Sequence, residues 1–162
     1  MNAIALSRDE AIDLEAESVS ELALARGARV ACAESLTSGA IASALGRAPR
    51  ASEWFCGGVI AYSAEVKHDV LGVEPGPVVT ELCAGQMASG VRALMAADVA
   101  VAVTGVGGPD SAEGHPPGTV VIAVSSARAL EVSTHHFDGE PSEVVSRTTL
   151  HALAQLRALL ES

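Results

Sequence analysis

The sequence predicts a single-domain α/β protein in three layers, with helices on both faces of a mostly parallel, possibly mixed sheet. Three observations carry that expectation. Short runs rich in Val and Ala alternate along the chain with amphipathic segments at helical spacing. Of the residues, 49% are hydrophobic but only 2% aromatic, so the core must be built from Ala, Val, Leu and Ile, which suits helices packed closely on a Val-rich sheet. At 162 residues, the whole of 1–162 reads as one domain with one sizeable core and no room for a second.

The elements follow in order. Ser7 to Arg26 carries Ile12, Leu14, Val19, Leu22 and Leu24 among acids and reads as a helix, closed by Gly27. Ala28–Ala33 is a short buried strand, followed by a turn over Glu34–Gly39 and a helix over Ala40–Leu45 that stops near Gly46 and Pro49. Trp54–Tyr62 is the second strand, with Gly57-Gly58 marking a bulge or a close backbone approach. Ala64–Leu71 is a short helix ending at Gly72, and Pro75-Gly76-Pro77 is a turn. Thr80 caps a helix to about Met95, with Glu81 where the helix dipole favours an acid. Asp98–Thr104 is the clearest buried strand and runs into a glycine-rich loop that continues to Pro117-Gly118. Thr119–Ser125 and Glu131–Phe137 form a hairpin, and Glu143–Leu160 is the last helix. No internal repeat, linker or low-complexity segment interrupts this order.

Charge and composition narrow the function classes. The formal net charge is −10 and no Lys/Arg cluster offers a cationic footprint, which sets nucleic acid aside as a partner. An acidic balance still permits a phosphorylated small molecule, because backbone N–H groups at a helix N-terminus bind anions locally. Cys32, Cys56 and Cys83 are an odd number without CxxC spacing, so a reducing cytoplasmic setting is expected. Charges or glycines interrupt every apolar run, so no membrane span is expected. The opening MNAIALSRDE lacks a basic region followed by an apolar one, and no secretory signal is read there. No metal site is expected either. His135 and His136 are neighbours on a strand and point to opposite faces, and His68, His115 and His151 show no ligand spacing.

The features that could carry chemistry are two small-residue loops, each following a buried strand. In open α/β sheets, ligands bind beyond the carboxyl ends of strands. The first loop offers Ser35, Thr37, Ser38 and Gly39; the second offers Thr104, Gly105, Gly107 and Gly108. Glycines let the backbone approach a ligand, and successive N–H groups can form an anion-binding nest. Either loop could equally be an ordinary tight turn. Ser35 is the candidate nucleophile, although the same residue would serve as a helix N-cap. It sits in neither a G-x-S-x-G nor an S-x-x-K motif, so its activation must come from elsewhere in the chain. Lys67 and Tyr62 follow the second strand. A lysine kept partly neutral by desolvation can take a hydroxyl proton, and a tyrosine can relay or donate one. The plainer alternatives are a lysine on a solvated helix face and a core tyrosine with a wet end.

Four segments, in order, resemble a known family. Ala33–Gly39 (AESLTSG) is similar to the AESCTGG-type signature of CinA C-terminal domains. Gly57–Val73 is similar to that family's G-x-V-x-Y-S-x-x-x-K…LGV segment, and Thr104–Val120 to its T/S-G-I-A-G-P…P-V-G-T-V loop. Val79–Gly90 matches the helix between them, and the resemblance runs from about Glu10 to the C-terminus. It implies an amidase that hydrolyses the carboxamide of nicotinamide mononucleotide to nicotinate mononucleotide and ammonia, without metal or other cofactor. It further implies Ser35 as nucleophile, Tyr62 and Lys67 as its activators, and the two loops as holders of phosphate and oxyanion. Members are commonly homo-oligomers, dimers or larger, and the longer ones carry an additional N-terminal domain. The chain departs from the family's pattern in three places. Ser38 stands where glycine is usual, and the segment between Gly72 and Thr80 is shortened. The F-x-G-D-R…(V/I)-R pattern reads Phe137-Asp138-Gly139-Glu140-Pro141, with Val145 at the second arginine position. Arg147 lies half a helical turn further on and is the candidate replacement. The other functions left open are a non-catalytic nucleotide- or partner-binding relative and an amidase for a different amide.

Overall fold

The structure, a computed structural model, describes residues 5–162; the expectation drawn from the opening MNAIALSRDE falls partly on residues 1–4, outside the described residues. In chain order the elements are α1 (Arg8–Arg26), β1 (Val30–Glu34), α2 (Ala40–Arg47), α3 (Ala51–Trp54), β2 (Phe55–Ile60), α4 (Ala64–Leu71), α5 (Glu81–Leu94), β3 (Val99–Gly105), β4 (Thr119–Ser126), β5 (Leu130–His136) and α6 (Pro141–Glu161). The five strands form one sheet in the order β2-β1-β3-β4-β5. β2, β1 and β3 pair in parallel, and β4 and β5 continue antiparallel. β5 therefore runs with the first three strands and only β4 is reversed, so the sheet is mixed with one dominant direction.

The two faces of the sheet differ in side-chain size, and that sets how close each helical layer comes. Val30, Val101, Val103, Ile122 and Val124 point into a core shared with α1, α2 and α6. Ala31, Ala33, Ala100, Ala102 and Ala123 point the other way, where α5 presents Cys83, Ala84, Met87 and Ala88. Alternation along each strand sends successive side chains to opposite faces. A methyl-lined face lets α5 lie directly against the strands, whereas the branched face needs the longer side chains of α6 to fill the gap. Leu153 and Leu156 of α6 are fully buried there, each contributing roughly 2 kcal/mol by area.

Caps place several of the boundaries. Ser7 and Glu10 form a reciprocal capping box at the start of α1, and Gly27 closes it at φ 62°. Between β1 and β2 the register slips by one residue, so Cys56 has no partner. Gly58 follows this bulge, and a Cβ there would stand 2.5 Å from Cys32 Sγ. Several expected boundaries move: β1 runs Val30–Glu34 rather than Ala28–Ala33, β2 ends at Ile60 rather than Tyr62, β5 runs Leu130–His136 rather than Glu131–Phe137, and three others have a visible cause. Trp54 is not in a strand but ends the single turn of α3, where its buried indole donates to Pro49 O at 3.1 Å. α2 continues through Gly46 to Arg47. α6 begins at Pro141 rather than Glu143, because proline is tolerated in the first turn and Glu140 and Glu143 cap it reciprocally.

Candidate active site

Three parallel strands bring their carboxyl ends to one edge of the sheet. β1 delivers Ser35, β2 delivers Ala61 and Tyr62, and β3 delivers Thr104 and Gly105. Lys67, from the second turn of α4, reaches back across this edge with only 1% of its surface exposed. Its Nζ lies 3.1 Å from Ser35 Oγ, 2.7 Å from Ala61 O and 3.3 Å from Tyr62 O. Burial pushes the Lys67 ammonium below the usual lysine range, while Cys83 and Glu113 act in the opposite direction. The partner set has a chemical consequence. The two carbonyls can only accept, so a neutral amine would spend both its N–H groups on them. Its lone pair is then left for the Ser35 hydroxyl, which donates. Desolvation shifts Lys67 toward this neutral form relative to a lysine in water.

Tyr62 divides its contribution. Its backbone carbonyl reaches Lys67, while its ring stands at the rim of the cavity, 69% exposed.

The first loop is closed from inside. Glu34 ends β1 fully buried, and its carboxylate accepts from Thr37 Oγ1 at 2.6 Å, Ile41 N at 2.9 Å and Ala42 N at 2.9 Å. The N-terminus of α2 is therefore satisfied by the chain's own anion. Thr37, Ser38 and Gly39, expected to hold a ligand, are not brought to the cavity. Thr37 is buried with its hydroxyl given to Glu34, and Ser38 and Gly39 take positive φ values of 49° and 104° as the chain turns into α2. Only Ser35 and Leu36 of this loop face the cavity.

The second loop forms the opposite wall. Thr104, Gly105, Gly107 and Gly108 all line a cavity of about 290 Å³ together with Ser35 and Lys67. The Thr104 hydroxyl donates to Val78 O at 2.8 Å. Glu113, further along the loop, accepts from Val78 N at 3.0 Å and Val79 N at 2.8 Å. The short segment before α5 is thereby strapped down as a side wall. Leu36 and Gly107 leave their N–H groups without a backbone partner among the described residues, and both line the cavity. On α6, Pro141 and Val145 face the cavity but Arg147 does not. Two residues along a helix turn the side chain by about 200°, which carries Arg147 away from the face that Val145 presents. There its Nε is buried and finds no hydrogen-bond partner among the described residues.

Glu34 and Glu113 were not singled out from the sequence. A signal for Glu34 was present: an acid ending a wholly apolar strand and followed by a helix has a buried N-terminus to satisfy. Glu113 carries no comparable signal, because its partners lie 34 and 35 residues away. Among the described residues no group of three or more His, Cys, Asp or Glu could hold a metal ion, and no helix is long and apolar enough to cross a membrane.

Comparison with known proteins converges. A family model described as the CinA C-terminal domain matches residues 13–160. A CinA-like protein from Mycolicibacterium paratuberculosis is 40% identical over 149 residues, covering 85% of this chain and 34% of its own length. The chain spans about a third of the length of the curated relatives it matches. Among solved structures, a CinA superfamily protein from Klebsiella pneumoniae superposes with a TM-score of 0.89 at 32% identity, over 93% of this chain and 98% of that one. A CinA superfamily protein from Escherichia coli gives 0.89 at 30% identity, over 98% and 95% respectively.

Proposed function

The chain belongs to the CinA C-terminal domain family, and from that premise we propose that it is a serine–lysine amidohydrolase releasing ammonia from a nicotinamide-type carboxamide, with nicotinamide mononucleotide as the reference substrate. The observation that supports this reading is the buried contact between Lys67 Nζ and Ser35 Oγ at 3.1 Å, at the floor of the cavity. A serine hydroxyl is a weak nucleophile until a base takes its proton, and a desolvated lysine is such a base near neutral pH.

In the proposed reaction Ser35 Oγ attacks the carboxamide carbon as Lys67 Nζ takes the hydroxyl proton. The carbonyl oxygen becomes an oxyanion, for which the unpartnered N–H groups of the cavity-lining residues, Leu36 and Gly107 among them, are candidate donors. Collapse of the tetrahedral intermediate breaks the C–N bond. The departing nitrogen leaves as ammonia with the proton that Lys67 took up, returned directly or relayed through the phenol of Tyr62 at the rim, which leaves Lys67 neutral again. Water, deprotonated by the same lysine, then hydrolyses the acyl-serine to the carboxylate and restores Ser35. No group outside the chain enters the balance except water.

The test is ammonia release from nicotinamide mononucleotide by the purified protein beside Ser35→Ala. We expect turnover in the wild type and a loss of at least about 10³-fold in the variant, with the thermal transition unchanged. Undiminished turnover in a folded Ser35→Ala protein would remove Ser35 from the nucleophile's place.

A further inference from the structure

We propose that the cavity selects a carboxamide whose far end carries no negative charge, and therefore disfavours the phosphorylated form of its substrate. This rests on the Ser35–Lys67 reading above and extends it to the substrate's chemical class.

Among the described residues, the charged side chains lining the cavity are Lys67 and Glu113. Lys67 already has three partners, Ser35 Oγ, Ala61 O and Tyr62 O, which together use every hydrogen-bonding position an amine or ammonium offers. It has nothing left for a phosphate. Glu113 adds a carboxylate on the opposite wall, and its oxygens take the N–H groups of Val78 and Val79. Those amides would otherwise be free to hold an anion. Glu34 does the same at the N-terminus of α2, accepting from Ile41 N and Ala42 N. The chain's own carboxylates thus occupy the Val78 and Val79 amides on the cavity wall and, away from the cavity, the N-terminus of α2.

The face of α6 at the cavity is apolar. Pro141 and Val145 lie four residues apart on one face of α6 and both line the cavity. A dianionic phosphate placed there would give up its hydration with no charge-assisted partner in return. The formal net charge of −10 adds an unfavourable field for any dianion approaching the site. A neutral or cationic far end meets the opposite situation, with Glu113 attracting it and Pro141 and Val145 offering dry contact. A ribosylated pyridinium without its phosphate is the chemistry that fits.

The experiment compares nicotinamide mononucleotide with its dephosphorylated nucleoside, following ammonia release at one fixed ionic strength. We expect kcat/KM for the nucleoside to exceed that for the nucleotide by about tenfold. Val145→Arg, which puts a cation on the apolar wall, should shift the ratio toward the nucleotide by about tenfold. A wild-type preference for the nucleotide overturns the proposal. It leaves the amidase reading standing so long as Ser35→Ala abolishes turnover. If neither compound is hydrolysed by folded wild type, the amidase reading fails. Calorimetric titration of both into Ser35→Ala then decides the charge preference separately. Tighter binding of the nucleoside supports the proposal, and tighter binding of the nucleotide, or of neither, overturns it.

Discussion

The chain leaves the neighbouring parallel strands β1 and β3 at the same edge, but Glu34 at the end of β1 and Glu113 in the loop after β3 work in opposite senses. After β1 the chain enters a helix, and Glu34 turns inward to fill that helix's N-terminus. After β3 the chain enters no helix. It runs through a glycine-rich loop and returns as the antiparallel β4, so there is no N-terminal array of N–H groups at that point. Glu113 instead reaches outward to a separate segment and ties Val78 and Val79 against the site. The first loop is satisfied locally, and the second is held by contacts distant in sequence. The difference teaches that one edge of a sheet can carry a loop closed by its own acid beside a loop held by contacts across the chain.

The largest effect should come from the residue both loops surround. Replacing Lys67 by Met should lower kcat/KM by roughly 10³-fold, because the base that activates Ser35 is gone. The pH profile carries the sign. An ammonium has no lone pair, so activity is present above the folded-state pKa of Lys67 and lost as pH falls through it. Burial lowers that pKa, which places the rising limb below the usual lysine range. Cys83 from α5 and Glu113 from the second loop face the same amine and pull the limb upward in pH. A Lys67→Met protein that keeps kcat and the rising limb, with only KM increased, would make Lys67 a substrate ligand instead of a base.

Next in size is the contrast between the two acids themselves. Glu34→Gln leaves one acceptor oxygen facing three donors, the Thr37 hydroxyl and the amides of Ile41 and Ala42, deep in the core. We expect a loss of about 2–3 kcal/mol in urea unfolding, together with a fall in kcat as the turn carrying Ser35 loosens. Glu113→Gln, at an exposed position, should cost under about 1 kcal/mol. Equal losses in the two variants would break the distinction between an internally satisfied loop and a strapped one.

Much of this arrangement was legible in the sequence, and the parts that were not share a cause. Ser35 at a strand–turn–helix junction, Lys67 and Tyr62 beyond the second strand, and the Thr104–Gly108 wall are all local patterns, and the structure brings all of them to one cavity. The capping residue Thr80 was readable for the same reason, since a cap and its partner lie three residues apart. Trp54 was misplaced because a four-residue helix is too short to show a period, and an aromatic pair beside glycines reads as strand. Glu113 and Val78 meet only through the tertiary fold. Arg147 could be placed on a helix but not on a face, because the register of α6 against the sheet is set by packing.

Thr37 is the sharpest case and carries the smallest effect. As a hydroxyl in a loop after a strand it reads as a ligand contact, yet its Oγ1 lies 2.6 Å from Glu34 Oε1 and the residue is buried. Substitution by Val preserves the shape of the side chain and removes only the hydroxyl. If the hydroxyl serves Glu34, Thr37→Val should cost about 1 kcal/mol of stability and leave KM within about threefold of wild type, because Glu34 Oε1 keeps Ile41 N as a donor. If it serves a ligand, stability should hold while KM rises by tenfold or more, the penalty for leaving a bound polar group unpaired. Urea unfolding and steady-state kinetics on the one variant separate the two. The result also tests the larger contrast, since a ligand-facing Thr37 would mean that the first loop opens when substrate binds.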